Sequence, residues 1–291
     1  MKQVRPKKNL GQHFLTDLSI ARRIADTVDA CPDLPVLEVG PGMGVMTQFL
    51  MEKPRQLSVV EIDRESVTYL KEFFEKKRGR KEEGEKMRDE RGENPRIIEG
   101  DFLRMDLRTL FDGGQFVLTG NYPYDISSQI FFKMIDNRDL IPCCTGMIQR
   151  EVALRIASQP GTKAYGILSV LIQAWYDVEY LFTVDETVFN PPPKVKSAVI
   201  RMMRNEVQQL GCNEQLFRRL VKSVFNQRRK MLRVSLRQLL PTRKEGCSLR
   251  KEEEILYSSP YMTKRPEQLT ITEFVELTNM VDSILCTNTI I

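Results

Sequence analysis

Val36-Leu37-Glu38-Val39-Gly40-Pro41-Gly42-Met43-Gly44 reads as a short apolar strand running straight into a glycine turn. Glycines at alternate positions let the backbone approach a ligand closely at the end of a strand. Working outward, a second strand spans Leu57 to Ile62 and ends in Glu61 and Asp63. A third contains Arg96-Ile97-Ile98 and reaches Gly100-Asp101-Phe102-Leu103, and a fourth, Phe116-Val117-Leu118, precedes Asn121-Tyr122-Pro123-Tyr124. Helical segments intervene: about Thr16 to Ala30, Val45 to Met51, the stretch after Asp63 into Phe74, and Ile126 to Ile135. Then come Cys143 to Ile148, a helix over Arg150 to Ala157, the loop Pro160-Gly161-Thr162-Lys163, and the apolar Gly166 to Val184 that closes the core. After the rigid turn Asn190-Pro191-Pro192-Pro193-Lys194, Ser197 to Met203 alternates like a strand.

Strands alternating with helices over about the first two hundred residues predict an α/β fold: a doubly wound, Rossmann-like parallel sheet with its last strand a candidate for antiparallel insertion. From Asn205 onward only helical spacing remains, carried by Leu216, Leu220 and Val224 and then Leu232, Leu236 and Leu239. The expected division is therefore residues 1–204 as one domain and 205–291 as a smaller, basic, helical one.

Composition excludes several classes. At 41% hydrophobic and 29% charged residues the chain is neither disordered nor fibrous. No apolar run approaches the roughly 18 residues of a membrane span, and the first residues have no apolar core of a signal segment, so a cytoplasmic protein is expected. The six cysteines have no C-x-x-C spacing and His13 is the sole histidine, so neither a disulfide framework, a metal site nor a His-centred triad is expected. No long exposed apolar stripe is evident, and a monomer is expected.

The net charge of +5 is unevenly spread. Residues 201–250 hold thirteen Lys or Arg against three Glu, and residues 1–8 add four positives and no acid. Clustered positive charge is the footprint of a polyanion, because neutralising phosphates releases counterions. The alternative is a solvated helix face. Residues 76–94 mix eight basic and six acidic side chains, with Met87 the sole apolar residue among them, and read as a charged loop or helix extension.

Asn121 to Tyr124 carries readable chemistry. The Asn121 amide oxygen and the Tyr122 carbonyl are neighbouring acceptors, and Tyr124 adds a flat ring; together they suit the exocyclic amine of a nucleobase. Alternatively, Asn121 caps the next helix and Pro123 sets the turn. The glycines at 40, 42 and 44 do not make a dinucleotide fingerprint, which needs glycine or alanine where Val45 stands. With Glu38 ahead of them they resemble the E-x-G-x-G-x-G turn of S-adenosylmethionine-dependent methyltransferases.

Nearly the whole chain resembles the ribosomal small-subunit RNA adenine dimethyltransferases, relatives of the macrolide-resistance methyltransferases of large-subunit RNA. The resemblance rests on K-N-L-G-Q-H-F-L at 8–15, L-E-V-G-P-G-M-G at 37–44, V-E-I-D at 60–63, G-D-F-L at 100–103 and N-Y-P-Y-D-I-S-S-Q-I at 121–130. It continues through Q-R-E-V-A at 149–153, P-G-T-K-A-Y-G-I-L-S-V at 160–170, F-N-P-P-P-K-V-K-S-A-V at 189–199 and F-N-Q-R-R-K-M-L-R at 225–233. It implies S-adenosylmethionine as cofactor, with the methionine moiety held by Gly40 and its neighbours Gly42 and Gly44, the ribose hydroxyls by Glu61 and the adenine amine by Asp101. His13 and Leu15 would close over the cofactor; the family often has Asn at the first position, and a hydrogen-bonded structural histidine is the other reading. The resemblance also implies that Asn121 lies against both cofactor and target. By the same resemblance Asn121 and the Tyr122 carbonyl hold the target amine, and Tyr124 and Phe189 stack on its base; a core aromatic is the alternative for Phe189. The family usually has Leu where Tyr122 stands.

The implied substrate is a pair of adjacent adenosines in a hairpin loop near the 3′ end of 16S rRNA within an assembling small subunit, with Arg218, Arg219, Lys222, Arg228, Arg229, Lys230 and Arg233 along its phosphates. Two other readings stay open: a methyltransferase of large-subunit RNA or DNA, and an assembly factor whose methylation is secondary.

Overall fold

The computed structural model describes residues 7, 13–79, 95–241 and 250–287. Of the charged stretch 76–94, residues 76–79 continue a helix and the remainder lies outside the described residues; of the N-terminal positives only Lys7 is described.

The chain opens with β1 (Phe14–Leu15) and α1 (Leu18–Asp26), which starts where the Asp17 carboxylate accepts the Ser19 and Ile20 N–H groups. There follow β2 (Val36–Val39), α2 (Thr47–Leu50), β3 (Leu57–Glu61), α3 (Arg64–Gly79), β4 (Arg96–Glu99), β5 (Val117–Thr119), α4 (Ser127–Asp136), β6 (Cys143–Gln149) and α5 (Arg150–Ile156). Then come α6 (Ile167–Gln173), β7 (Tyr176–Val184), β8 (Phe189–Asn190), β9 (Ser197–Arg204), α7 (Glu214–Asn226), α8 (Leu232–Ser235), α9 (Lys251–Ser258) and α10 (Ile271–Thr287).

The main sheet has seven strands in the order β4-β3-β2-β5-β6-β9-β7. Its first five strands pair in parallel, and β9 runs antiparallel against β6, as its sequence suggested. Because β3 and β4 lie on one side of β2, and β5 and β6 on the other, the connections reverse between β2 and β5. That is where open α/β sheets take their ligands, at the carboxyl ends of the strands. A core cluster joins Ala21, Ile24 and Val28 near the chain start, Phe49 and Leu50 of α2, and strand residues Val36, Val59, Val117 and Val199. Each fully buried Val, Leu or Ile among these stabilises by about 1.5–3 kcal/mol.

Two features escaped the sequence reading. β7 lay hidden in the apolar run taken as closing the core. β1 and β8 form a separate two-stranded antiparallel sheet, Phe14 opposite Asn190 and Leu15 opposite Phe189.

The chain divides into two compact units, residues 1–153 with 177–204, and residues 154–176 with 205–291. This differs from the contiguous 1–204 and 205–291 division expected. The reason is packing: in the second unit Trp175 meets Phe217 edge-on at 6.2 Å and Tyr165 meets Phe225 at 6.3 Å. The 154–176 segment thus supplies core to the helices that follow β9. In α7, Leu216, Phe217, Leu220, Val221, Val224 and Phe225 are buried, and Asn213 caps its first turn.

Candidate active site

A cavity of about 270 Å³ opens at the carboxyl edge of the first unit's sheet. Four strand ends build it. The turn after β2 contributes Gly40 and Gly42, the end of β3 Glu61 and Ile62, the turn after β4 Gly100 and Asp101, and the segment after β5 Asn121 to Ile126. His13, Phe14 and Leu15 come in from the N-terminal side.

The glycine turn needs its glycines. Gly40, Gly42 and Gly44 have φ of 67°, 56° and 75°, a region side chains disfavour. A Cβ on Gly42 would also meet Phe14 Cε1 at 3.1 Å. Gly44 does not line the cavity; a Cβ there would meet Leu70 and Phe74, so its task is seating α3.

Glu61 is buried, 4% exposed, yet charge-compatible, because Gly42 N–H donates to Oε2 at 3.0 Å and Asp63 N–H to Oε1 at 2.9 Å. Burial raises its pKa and those two donors pull it back. Each oxygen keeps a lone pair for a hydroxyl. Asp101 accepts the Leu103 N–H at 2.9 Å through Oδ1, and Arg104 Nε lies 3.4 Å from Oδ2. Asp63 is held in the turn after β3 by Lys7 Nζ at 2.5 Å and the Ser66 hydroxyl; burial pushes its carboxyl up, but these partners keep it below the usual range.

Glu38 is a residue the sequence reading used only as part of a pattern. It is 1% exposed, lines the cavity, and among the described residues its Oε2 has no hydrogen-bond partner. Burial pushes its pKa up to about 8, with the Thr47 hydroxyl opposing and the Glu61 charge adding to the rise.

Asn121 is set by a bridge to Met147: Tyr122 N–H donates to the Met147 carbonyl at 3.0 Å and Met147 N–H to the Gly120 carbonyl at 2.9 Å. It does not cap α4, whose cap position is Ile126. Instead Asn121 Nδ2 donates to the His13 carbonyl at 3.3 Å. Among the described residues nothing donates to Asn121 Oδ1 or to the Tyr122 carbonyl. The Tyr122 ring itself is buried, its hydroxyl donating to the Thr145 carbonyl at 2.9 Å, so this residue offers backbone to the cavity. Tyr124 is anchored through its hydroxyl to Ser197 Oγ at 2.5 Å, and the His13 ring stacks on it at 5.7 Å.

Gly146, passed over in the sequence, makes this arrangement possible. Its φ is 146°, and a Cβ there would overlap the Gly120 carbonyl oxygen and stand 2.8 Å from Tyr122 Cε2. No local motif marks it, since the demand comes from a neighbouring strand.

Phe189 is not brought to the cavity. It is 4% exposed and belongs to the core cluster with Leu15, Ile24 and Val184. A ring buried this way has no face free for a base, so the core reading holds in this structure, and of the two aromatics only Tyr124 lines the cavity. In the second unit Arg219, Lys222, Arg229, Lys230 and Arg233 are exposed, whereas Arg218 and Arg228 are half-buried. Arg218 lies over Trp175 at 5.7 Å, and Arg228 donates to the Thr162 carbonyl at 3.2 Å and approaches Glu267. Those two have structural work in this unit.

Residues 3–278 match the family described as ribosomal RNA adenine dimethylase. The ribosomal RNA small subunit methyltransferase A of Phocaeicola vulgatus is 62% identical over 282 residues, 97% of this chain and 91% of that protein. The protein of the same name from Bacteroides thetaiotaomicron is 61% identical, covering 99% of this chain and 98% of its own. Among solved structures, a dimethyladenosine transferase from Plasmodium falciparum superposes with a TM-score of 0.72 at 24% identity, covering 91% of this chain and 96% of that one, which speaks for the fold. The 23S rRNA methyltransferase ErmE gives 0.60 at 26% identity, with 92% and 99% covered. With strand order, glycine turn and strand-end acids all in place, this chain belongs to the ribosomal RNA adenine dimethylase family and is a methyltransferase enzyme.

Proposed function

We propose that this protein uses S-adenosylmethionine to dimethylate the exocyclic amines of two adjacent adenosines in a 16S rRNA hairpin loop, acting on the small ribosomal subunit as a monomer in the cytoplasm. The observation carrying this reading is the pair of undonated acceptors, Asn121 Oδ1 and the Tyr122 carbonyl, on the wall of one cavity. The names of the curated relatives support the small subunit as the substrate's source.

The cavity suits the cofactor. Positive-φ glycines leave backbone bare at the methionine end, and the nearest atoms to where a Cβ on Gly40 would sit are those of the Pro123 ring at 3.9 Å. Glu61 would take the ribose hydroxyls, Asp101 and Ile62 would meet the adenine, and His13 and Leu15 would cover it. When bound, the cofactor supplies an electrophilic methyl group.

The target amine is a weak nucleophile because its lone pair is delocalised into the ring. Two acceptors on its two N–H groups favour the pyramidal nitrogen and the positive charge that develops there. Neither is a base; they hold the N–H groups rather than remove them. Tyr124, fixed by Ser197, supports the flipped ring. Phe14 and Leu15 exclude water. For the second transfer the monomethylated amine has one N–H left, so it must rotate with one acceptor disengaged. Arg219, Lys222, Arg229, Lys230 and Arg233 would run along phosphates.

The test is incubation with radiolabelled S-adenosylmethionine and unmethylated small subunits, followed by nucleoside analysis. Labelled dimethyladenosine in small-subunit RNA is expected. Label confined to large-subunit RNA or DNA would overturn the substrate, and no label anywhere would favour an assembly factor.

A further inference from the structure

His13 touches both parts of the base-binding wall. Its carbonyl accepts Asn121 Nδ2–H at 3.3 Å, and its imidazole stacks on Tyr124 with centroids 5.7 Å apart and planes inclined by 27°. The ring is held from a third side: Nδ1 lies 2.8 Å from the Pro191 carbonyl oxygen. A carbonyl only accepts, so Nδ1 carries the proton and donates. Tyr124 is pinned through its hydroxyl to Ser197 and is not free to turn away.

These contacts fill a place. A base sandwiched between His13 and Tyr124 would need two stacking distances, roughly 7 Å in all, and the rings stand 5.7 Å apart. We propose that the His13 imidazole is a built-in occupant of the target-base site, covering the Tyr124 face until an incoming adenine displaces it. The proposal rests on the adenine-methylation reading and adds to it an internal competitor. While the imidazole is seated, Asn121 Oδ1 and the Tyr122 carbonyl remain without donors but the stacking platform is taken. A base entering the cavity therefore gives up binding free energy to expel the imidazole, and its apparent affinity falls by the fraction of molecules with the face open.

The backbone carbonyl that orients Asn121 does not depend on the ring. In His13→Ala the amide keeps its acceptor while the Tyr124 face is bare. The effect expected is a KM for small subunits, measured at saturating S-adenosylmethionine, lower by roughly tenfold, the worth of one ring stack and one neutral hydrogen bond. In a Tyr124→Leu background the same His13 substitution should leave the subunit KM unchanged, because the contested face is gone.

A second measurement reads the stack directly. With one histidine in the sequence, untagged protein gives a single set of imidazole proton resonances. Stacking on Tyr124 should shift them upfield by ring current, and Tyr124→Leu should return them to the unstacked position. Imidazole resonances indifferent to Tyr124→Leu would overturn the proposal, as would a subunit KM that rises or stays level in His13→Ala. Failure of the adenine reading looks different: wild-type protein would transfer no label to small subunits, while the ring-current shift would remain.

Discussion

The Gly42 N–H donates to Glu61 Oε2 at 3.0 Å, tying the glycine turn after one strand to the acid ending the next. With the Asp63 N–H on Oε1, the carboxylate is oriented before any ligand arrives. Glu61→Gln places an NH₂ against one of two backbone donors and removes a charged acceptor. We expect S-adenosylhomocysteine to bind about 10- to 100-fold more weakly by calorimetry, the worth of a charge-assisted hydrogen bond, with the melting temperature also lowered.

Asn121→Ala removes one of the two acceptors proposed for the target amine. A lost preorganised acceptor of this kind typically costs about 10²–10³ in kcat. Single-turnover methyl transfer should fall by that amount while subunit binding, measured by co-sedimentation, persists. Loss of binding in proportion would show that Asn121 serves RNA recognition instead.

Gly146→Ala should be far more damaging than its size suggests. The added methyl overlaps the Gly120 carbonyl and crowds Tyr122, on a backbone at φ 146°. Chemical denaturation should show a loss of about 2 kcal/mol or more, and activity should fail even where the protein stays folded, because the Asn121–Met147 bridge is displaced.

Glu38 makes stability depend on pH. Its folded pKa of about 8 lies above the ordinary 4.5, so between those values the folded state binds the extra proton. Stability is then fully present below about pH 4.5 and declines as pH rises through 8, by up to about 1.4 kcal/mol per unit from this group. Urea unfolding from pH 5 to 8 should show that decline, and Glu38→Gln should flatten it.

Arg229, Lys230 and Arg233 are exposed in the second unit. Replacing all three with Ala should weaken RNA binding across sequences. It should also reduce the slope of log affinity against log salt by about 2–3, one released counterion per lost phosphate contact. Arg228→Ala should instead lower stability, since that side chain holds the Thr162 carbonyl.

What the sequence revealed was whatever is written locally. Val36–Val39 with its glycines, the acids at 61 and 101, and Asn121-Tyr122-Pro123-Tyr124 each announce a strand end by residue type and spacing, and Gly40, Gly42, Glu61, Asp101 and Asn121 to Tyr124 meet at one cavity. The pairing of β1 with β8 carries no periodicity, because two-residue strands are too short for one. Phe189 could be read as platform or core from its neighbours alone; burial against Leu15 decides between them in this structure. The membership of 154–176 in the second unit depends on Trp175 and Tyr165 finding Phe217 and Phe225, partners some forty to sixty residues away. Gly146 answers to a strand it follows by some 25 residues.

The β1–β8 ladder has a bearing on synthesis. Leu15 lines the cavity and finds its strand partner in Phe189, and Thr16 donates through both N–H and hydroxyl to the Val188 carbonyl. In a growing chain residues 14–16 precede their ladder partners by more than 170 residues, so although the His13 carbonyl can meet Asn121 earlier, the β1–β8 pairing waits for residues 188–190. Strand ends, acids and glycine turn can assemble earlier, since nearby segments meet sooner than distant ones. The ladder beside the cavity thus forms after the strand ends beneath it, and the last part of the pocket wall to be fixed is the one made first.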